Sequence, residues 1–165
     1  MTALFVTIND IKKFTSLNGN IDDDKLLHFV KIAQDIHICN YLGTRLYKRF
    51  QNDIINNTLV SPYTTLLSDY IKPMLIHFAM VEILPFIAYN ISNKGVTKLK
   101  GENSDTVSSE ELKILIEKEQ QIATNYVKKF IDYMNAHLSS FPEYLVANIG
   151  EQYPITTAQT GGWYL

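Results

Sequence analysis

The sequence of 165 residues lacks the features that mark several common classes of protein. Its single cysteine, Cys39, cannot form an internal disulfide, which suits a reducing compartment. Its 7 glycines and 5 prolines are too few for a low-complexity or collagen-like chain. We therefore expect one folded unit that is held together by its hydrophobic core.

An excess of charge of one sign is also lacking. The chain has 15 basic and 17 acidic side chains, a formal net charge of -2. A protein that coats nucleic acid needs clustered Lys and Arg to neutralise phosphates. The even balance argues against such a protein, although it is compatible with a ring through which a duplex slides.

Long hydrophobic runs are missing as well. The most apolar stretch, residues 74–88, is interrupted by His77, Glu82 and Pro85. It is shorter than the roughly 20 apolar residues that a membrane span needs. Residues 1–10 contain no basic region and no long apolar core, so we expect a soluble protein without a signal peptide or membrane contact.

Sequence motifs of catalytic and metal sites are not found either. There is no His-Glu-x-x-His or Glu-x-x-His pair, no glycine-rich phosphate loop and no Gly-x-Ser-x-Gly elbow. The four histidines are interpreted as surface or core side chains: His28, His37, His77 and His137. Three adjacent carboxylates, Asp22 to Asp24, are better placed to start a helix than to bind a cation. We predict no catalytic residue, no cofactor and no metal; an enzyme with a dispersed site is the weaker alternative.

Helical periodicity and helix start signals dominate what is present. Hydrophobic residues make up 46% of the chain. Start signals are Thr7 or Asn9, Asp22 to Asp24, Ser61 followed by Pro62, and the Ser108/Glu111 capping box. Gly43 predicts a turn between the second and third helices. Pro73 and Pro85 predict kinks in a fourth helix that runs to about residue 91 and is apolar on nearly all sides, as a core helix is.

These patterns predict an all-α fold, a bundle of about five helices. Residues 93–107 lack helical periodicity and predict a short hairpin or loop insertion. Residues 142–165 are rich in aromatic residues and poor in charge, with Pro and Gly spaced so that no long helix fits. We predict a helical domain over 1–141 and an extended arm over 142–165. Docking of this arm on another chain is favoured over a self-packed or frayed terminus, because aromatic side chains are enriched at interfaces.

Two stretches carry a resemblance to a known family. The first is the helical run of residues 29–38 followed by Tyr41-Leu42-Gly43-Thr44-Arg45-Leu46-Tyr47. It looks like the opening of head–tail connector proteins of tailed phages. The second, residues 85–96, is similar to the helix-to-loop junction in connector-like neck proteins of phages that infect gut Bacteroidetes. The closing residues 161–165 also fit this group.

The resemblance implies a helical subunit that forms a homo-oligomeric ring, commonly twelve-fold, beneath the portal protein. Such a ring extends the DNA channel, does not read the DNA sequence, and carries the next neck or tail protein. It would lie in the neck of the virion, and in the host cytoplasm before assembly. The resemblance also implies that loops and terminal arms contact neighbours. The candidate interface residues on this chain are Lys94, Lys98 and Lys100 in the insertion and Tyr144, Tyr153, Trp163, Tyr164 and Leu165 in the arm. A monomeric helical protein-binding or regulatory module is the alternative.

Overall fold

A computed structural model describes residues 2–15, 17, 22–87, 89–92, 95–98 and 108–158. The helices are α1 (Ile8–Phe14), α2 (Asp23–Ala33), α3 (Cys39–Asn56), α4 (Tyr63–Thr65), α5 (Lys72–Ile87) and α6 (Ser109–Ala136). Two π-helical segments, Gln34–Ile38 and Leu66–Ile71, connect α2 to α3 and α4 to α5, and a short 3₁₀ turn, Leu138–Ser140, follows α6. Strands β1 (Tyr89–Ser92) and β2 (Gly95–Lys98) pair antiparallel.

The prediction of a helical protein is confirmed. The predicted break between the second and third helices is found at Gly43, whose backbone is not helical, and the two helices meet end to end there. The described residues therefore form four helical rods: α1, α2–α3, α4–α5 and α6. The fourth predicted helix ends at Ile87 rather than near residue 91, because the chain turns there into β1.

Side-chain caps explain where three of the helices begin. Thr7 and Ser108 each form a complete capping box, with Asp10 and Glu111 respectively. Asp22 caps α2 by accepting a hydrogen bond from the backbone of Asp24. These three predictions are confirmed. The prediction for Ser61 is wrong: Pro62 precedes α4 after a cis peptide bond, and no side-chain cap is present.

The α4–α5 rod is the core of the molecule, as its apolar composition predicts. Met74, Leu75 and Ala79 have no exposed surface. Pro73 is the second residue after the second π segment. The wider turn there accommodates a residue that has no N–H and crowds the preceding turn, which is the physical cause of the predicted irregularity.

The α2–α3 rod and α6 both run antiparallel to α5. The contacts that fix this direction are Phe29 on Phe86 and Tyr41 on Phe78 for α2–α3, and His77 on Glu119 and Tyr70 on Tyr133 for α6. One end of the molecule therefore holds the start of α2, the end of α5 and the start of α6. The opposite end holds the end of α3, α4 and the end of α6.

Two buried glutamines hold the N-terminal segment against this bundle. Gln34 is fully buried; its side chain accepts from the Phe5 N–H at 2.7 Å and donates to the Ala3 carbonyl at 2.9 Å. Gln51 accepts from the Ala3 N–H at 2.5 Å. The amides replace the backbone partners that a strand would supply, so the segment is satisfied without a sheet.

Candidate protein-interaction surfaces

The helix break at Gly43 is the first feature of interest. Gly43 has φ 71° and ψ 162°, which no residue inside an α-helix adopts. In a regular helix the Thr44 N–H would donate to the Asn40 carbonyl. Here that pair is opened, and both groups bind the C-terminal part of the chain: Thr44 N–H donates to the Gln152 carbonyl at 3.0 Å, and Asn40 accepts from the Ile155 N–H at 2.8 Å.

Gly43 also allows the C-terminal part of the chain to approach α3 closely. A Cβ atom on Gly43 would lie 2.8 Å from Cδ of Pro154 and 3.2 Å from the Gln152 carbonyl oxygen. The backbone of residues 152–155 therefore lies in a gap that only glycine leaves open. We call Asn40, Gly43 and Thr44 the Gly43 notch, and residues 151–158 the C-terminal segment.

An ion pair beside the notch fastens the start of the C-terminal segment. Arg45 Nε donates to Glu151 at 2.9 Å. Hydrogen bonding from the Asn148 N–H, with a further contribution from Arg45, lowers the pKa of the Glu151 carboxyl below its usual 4.5. Glu151 is therefore the charged group that holds this turn against α3.

The chain before this segment is packed more deeply. Phe141 has no exposed surface and stands edge-on to the Tyr63 ring, with ring centroids 5.3 Å apart. Glu143 accepts from the Tyr63 hydroxyl at 2.6 Å and from Arg49 at 3.2 Å. Tyr144 is 3% exposed. Phe141 and Tyr144 thus belong to the core of this chain.

The second feature is an open groove of about 930 Å³ between α5 and α6. Its apolar lining comes from Val81, Pro85 and Phe86 on α5 and from Leu112 and Ile116 on α6. Phe86, 47% exposed, also stacks on Phe29, with ring centroids 5.0 Å apart. We call this the α5–α6 groove. Helix-lined apolar grooves of this kind bind amphipathic or aromatic segments of other chains.

The charges that line the α5–α6 groove are mostly paired. Glu82 accepts from His37 Nε2 at 2.9 Å, and Lys113 lies 4.0 Å from Glu117. Lys128 also lines the groove and makes none of the ion pairs found among the described residues. The groove therefore offers apolar surface with little uncompensated charge.

The histidines have structural surroundings. His37 stacks on Phe78 with ring centroids 4.2 Å apart, and His77 Nδ1 pairs with Glu119 at 2.7 Å. His28 and His137 are exposed. Within the described ranges, His, Cys, Asp and Glu side chains form no group of three that could hold a metal ion.

The predicted interface residues fall in three groups. Tyr144 is in the core, and it could reach another chain only by leaving that core, so it is not included in the interface proposed below. Tyr153 is 56% exposed, and its hydroxyl donates to the Leu145 carbonyl. The others are Lys98, whose backbone lies in β2, and Lys94, Lys100, Trp163, Tyr164 and Leu165, which lie outside the described residues.

Sequence reasoning missed the α5–α6 groove and the role of the Gly43 notch. The apolar residues at helical spacing along α6 include Leu112 and Leu115. Leu112 lines the groove, but Leu115 is 48% exposed because the first half of α6 packs against α5 on one side only. The one available signal was that apolar residues continue around this half, with Ile114 and Ile116 beside Leu115.

None of the helices in the described part of the chain combines the length and apolar character that crossing a membrane demands. The fold and these surfaces define a small, mostly helical protein. A family model matches residues 38–152, and the chain belongs to that family, a family of unknown function designated DUF6712. No curated protein and no solved structure matches the sequence. The matched residues include both sides of the contact between the Gly43 notch and Gln152.

Proposed function

We propose that this protein is a non-enzymatic structural subunit of a phage neck. Its copies assemble head to tail into a ring beneath the portal, extend the DNA channel and carry the next neck or tail protein. The near-neutral net charge of -2 suits a channel through which DNA passes without sequence-specific binding.

The observation that carries the proposal is the α5–α6 groove. A ring of identical copies needs two different, complementary patches on each subunit. An exposed apolar groove with mostly paired charges is suited to be one of them, since the core of an interface is depleted in charged residues. The residues beyond Ala158, which include Trp163 and Tyr164, are candidates for the other. The resemblance of residues 29–47 and 85–96 to connector proteins adds the phage setting.

Mass determination by light scattering, with negative-stain images, tests this proposal. The purified chain would be measured alone and mixed with the portal protein encoded in the same genome. We expect a ring, either free or formed on the portal. A monomer that does not bind the portal contradicts the connector role. That result favours a monomeric regulatory module that uses the same groove.

A truncated chain tests the part played by the arm. A cut after Gly150 would remove Glu151, Gln152 and Ile155, which bind α3, and would destabilise the protomer itself. A cut after Ala158 removes only residues 159–165. We expect this shorter chain to melt at the same temperature as the full chain but to form no ring. Unchanged assembly would show that residues 159–165 take no part in the ring contact.

A further inference from the structure

We propose that the α5–α6 groove of one protomer receives residues 159–165 of the neighbouring protomer. This inference rests on the proposed ring, and it names the two surfaces that would join successive subunits. It is carried by the course of the C-terminal segment, the chemistry of the groove and the geometry of rings.

The C-terminal segment runs toward the end of the molecule that holds the groove. Along α3 it meets Arg45 at Glu151, Thr44 at Gln152 and Asn40 at Ile155. It therefore moves backward along the helix. One turn further on, His37 binds Glu82, and Glu82 lines the groove.

The remaining distance is within reach. Residues 159–165 can span at most about 25 Å. The groove wall from Glu82 to Phe86 covers four residues of helix, which is about 6 Å. From the contact of Ile155 with Asn40, one turn from His37, the chain is therefore long enough to place an aromatic side chain along this wall.

The chemistry of the two surfaces agrees. Residues 159–165 carry no charged side chain, and they include Trp163, Tyr164 and Leu165. Side chains without charge would leave the pairs of Glu82 with His37 and of Glu117 with Lys113 undisturbed, whereas acidic or basic side chains would compete with them. Aromatic side chains gain most from burial against an apolar wall.

The proposed ring favours a neighbour over the same chain, because residues 159–165 bound in their own groove would leave neither of the two patches that a head-to-tail contact needs. Copies in a cyclic ring are related by rotation about one axis, so each surface keeps its height along that axis in every copy. A C-terminal segment that runs toward its own groove therefore also approaches the height of the next protomer's groove. Exchange between copies lets one pair of surfaces repeat around the whole ring.

Paired cysteines test the proposal in the full chain. Two variants are made in a Cys39→Ser background. One carries Gln121→Cys in the groove, and the other carries Tyr164→Cys within residues 159–165. Mild oxidation of the mixture should give a covalent dimer, and a chain that carries both changes should give a ladder of oligomers. A control with Asp132→Cys, on the exposed far part of α6, should link at least tenfold less.

A second pair of variants tests the apolar wall. Ile116→Gln, in the groove, should reduce linking at least tenfold, whereas Ile114→Gln, two residues away and 65% exposed outside the groove, should change it less than twofold. Trp163 is the only tryptophan, so its emission should shift to the blue on assembly and stay red in Ile116→Gln. Both variants retain the protomer fold if their circular dichroism matches the parent.

The outcomes separate this inference from the proposed function. Cross-linking within monomers, without oligomers, would place residues 159–165 in the groove of their own chain and would overturn the proposal. Equal cross-linking to the Asp132→Cys control would overturn it as well. A ring seen by light scattering, without any cross-link between residues 159–165 and the groove, overturns the groove assignment alone. The absence of both ring and link overturns the assignment and the connector role together.

Discussion

Gly43 meets two demands at the residue scale: a left-handed backbone conformation and a close approach to Pro154. Gly43→Ala should destabilise the protomer by about 3 kcal/mol, from backbone strain and from overpacking against the proline ring. Alanine would also favour a straight helix that re-forms the bond between Asn40 and Thr44, which expels residues 152–155. Chemical denaturation and protease cleavage after Tyr144 would measure the two effects.

Gly150 supplies the matched control. It also has a positive φ, 84°, but a Cβ there would meet nothing within 4 Å. Gly150→Ala should therefore cost only about 1 kcal/mol of backbone strain. Equal losses for the two variants would mean that contact with Pro154 does not matter.

Gln34 is a second residue whose side chain cannot be replaced by an apolar one. Gln34→Leu would leave the Phe5 N–H without its side-chain partner in a buried site, whereas the Ala3 carbonyl would keep the hydrogen bond from Gln51 Nε2 at 2.9 Å. We expect a loss of about 1–3 kcal/mol in urea unfolding. Gln121→Leu, at an exposed position, should change stability by less than about 0.5 kcal/mol. A similar small change for both would show that water replaces the buried amide.

At the scale of elements, the local sequence signals predicted helix starts better than helix continuity. The capping residues Thr7, Asp22 and Ser108 act within one turn, so the sequence alone reveals them. The Ser61 cap failed because α4 begins at Tyr63, so Pro62 occupies the cap position instead of the first helical position. The first π segment, Gln34–Ile38, lies inside the predicted second helix and leaves no local pattern, so the sequence did not predict it.

The candidate surfaces were predictable only in part for the same reason. Gly43 was recognisable as a break, but the sequence does not say that the opened pair of backbone groups binds Gln152 and Ile155, more than a hundred residues away. The aromatic character of the arm was readable. That Tyr144 lies in the core follows from its long-range packing on Phe130, which no spacing rule supplies.

The attachment of the C-terminal segment to α3 should weaken at acid pH, because Glu151 loses its charge there. The pKa of this carboxyl is lowered in the folded protein, so its stabilising contribution is complete above the unfolded value of 4.5 and is lost as pH falls through the folded pKa. The difference in melting temperature between wild type and Glu151→Gln should be largest near neutral pH. It should shrink below pH 4.5, and a difference that is constant with pH would show that Arg45 does not need the charge.

The folded protein should lose stability at alkaline pH, because three of its tyrosines have raised pKa values. Burial is the main cause that raises the pKa of Tyr47, Tyr63 and Tyr144 to about 12, from an ordinary value of 10.0. A raised pKa means that the stabilising contribution is present below pH 10 and is lost between pH 10 and 12. Melting followed together with tyrosinate absorbance should show cooperative unfolding in that window.

Phenylalanine variants identify which tyrosine matters. Tyr144→Phe keeps the buried ring and removes the ionising group, and no hydrogen bond contributes to its pKa shift, so it should extend stability to higher pH at little cost at neutral pH. Tyr63→Phe also loses the hydrogen bond to Glu143 and should be destabilised by about 1 kcal/mol at neutral pH. Unfolding that begins well below pH 10 would contradict this account.

The uneven burial of α6 has a consequence for its local opening equilibrium. All of its fully packed residues lie between Ala123 and Met134, so the first half is held by the Ser108 capping box and by the bond of Glu119 to His77. Amide hydrogens before Glu119 should exchange with solvent much faster than those after Ala123. Ser108→Ala should speed exchange in the first half alone. Since this half forms one wall of the α5–α6 groove, an occupant of the groove should protect the same amides, and mass spectrometry of deuterium uptake would follow occupancy along a single helix.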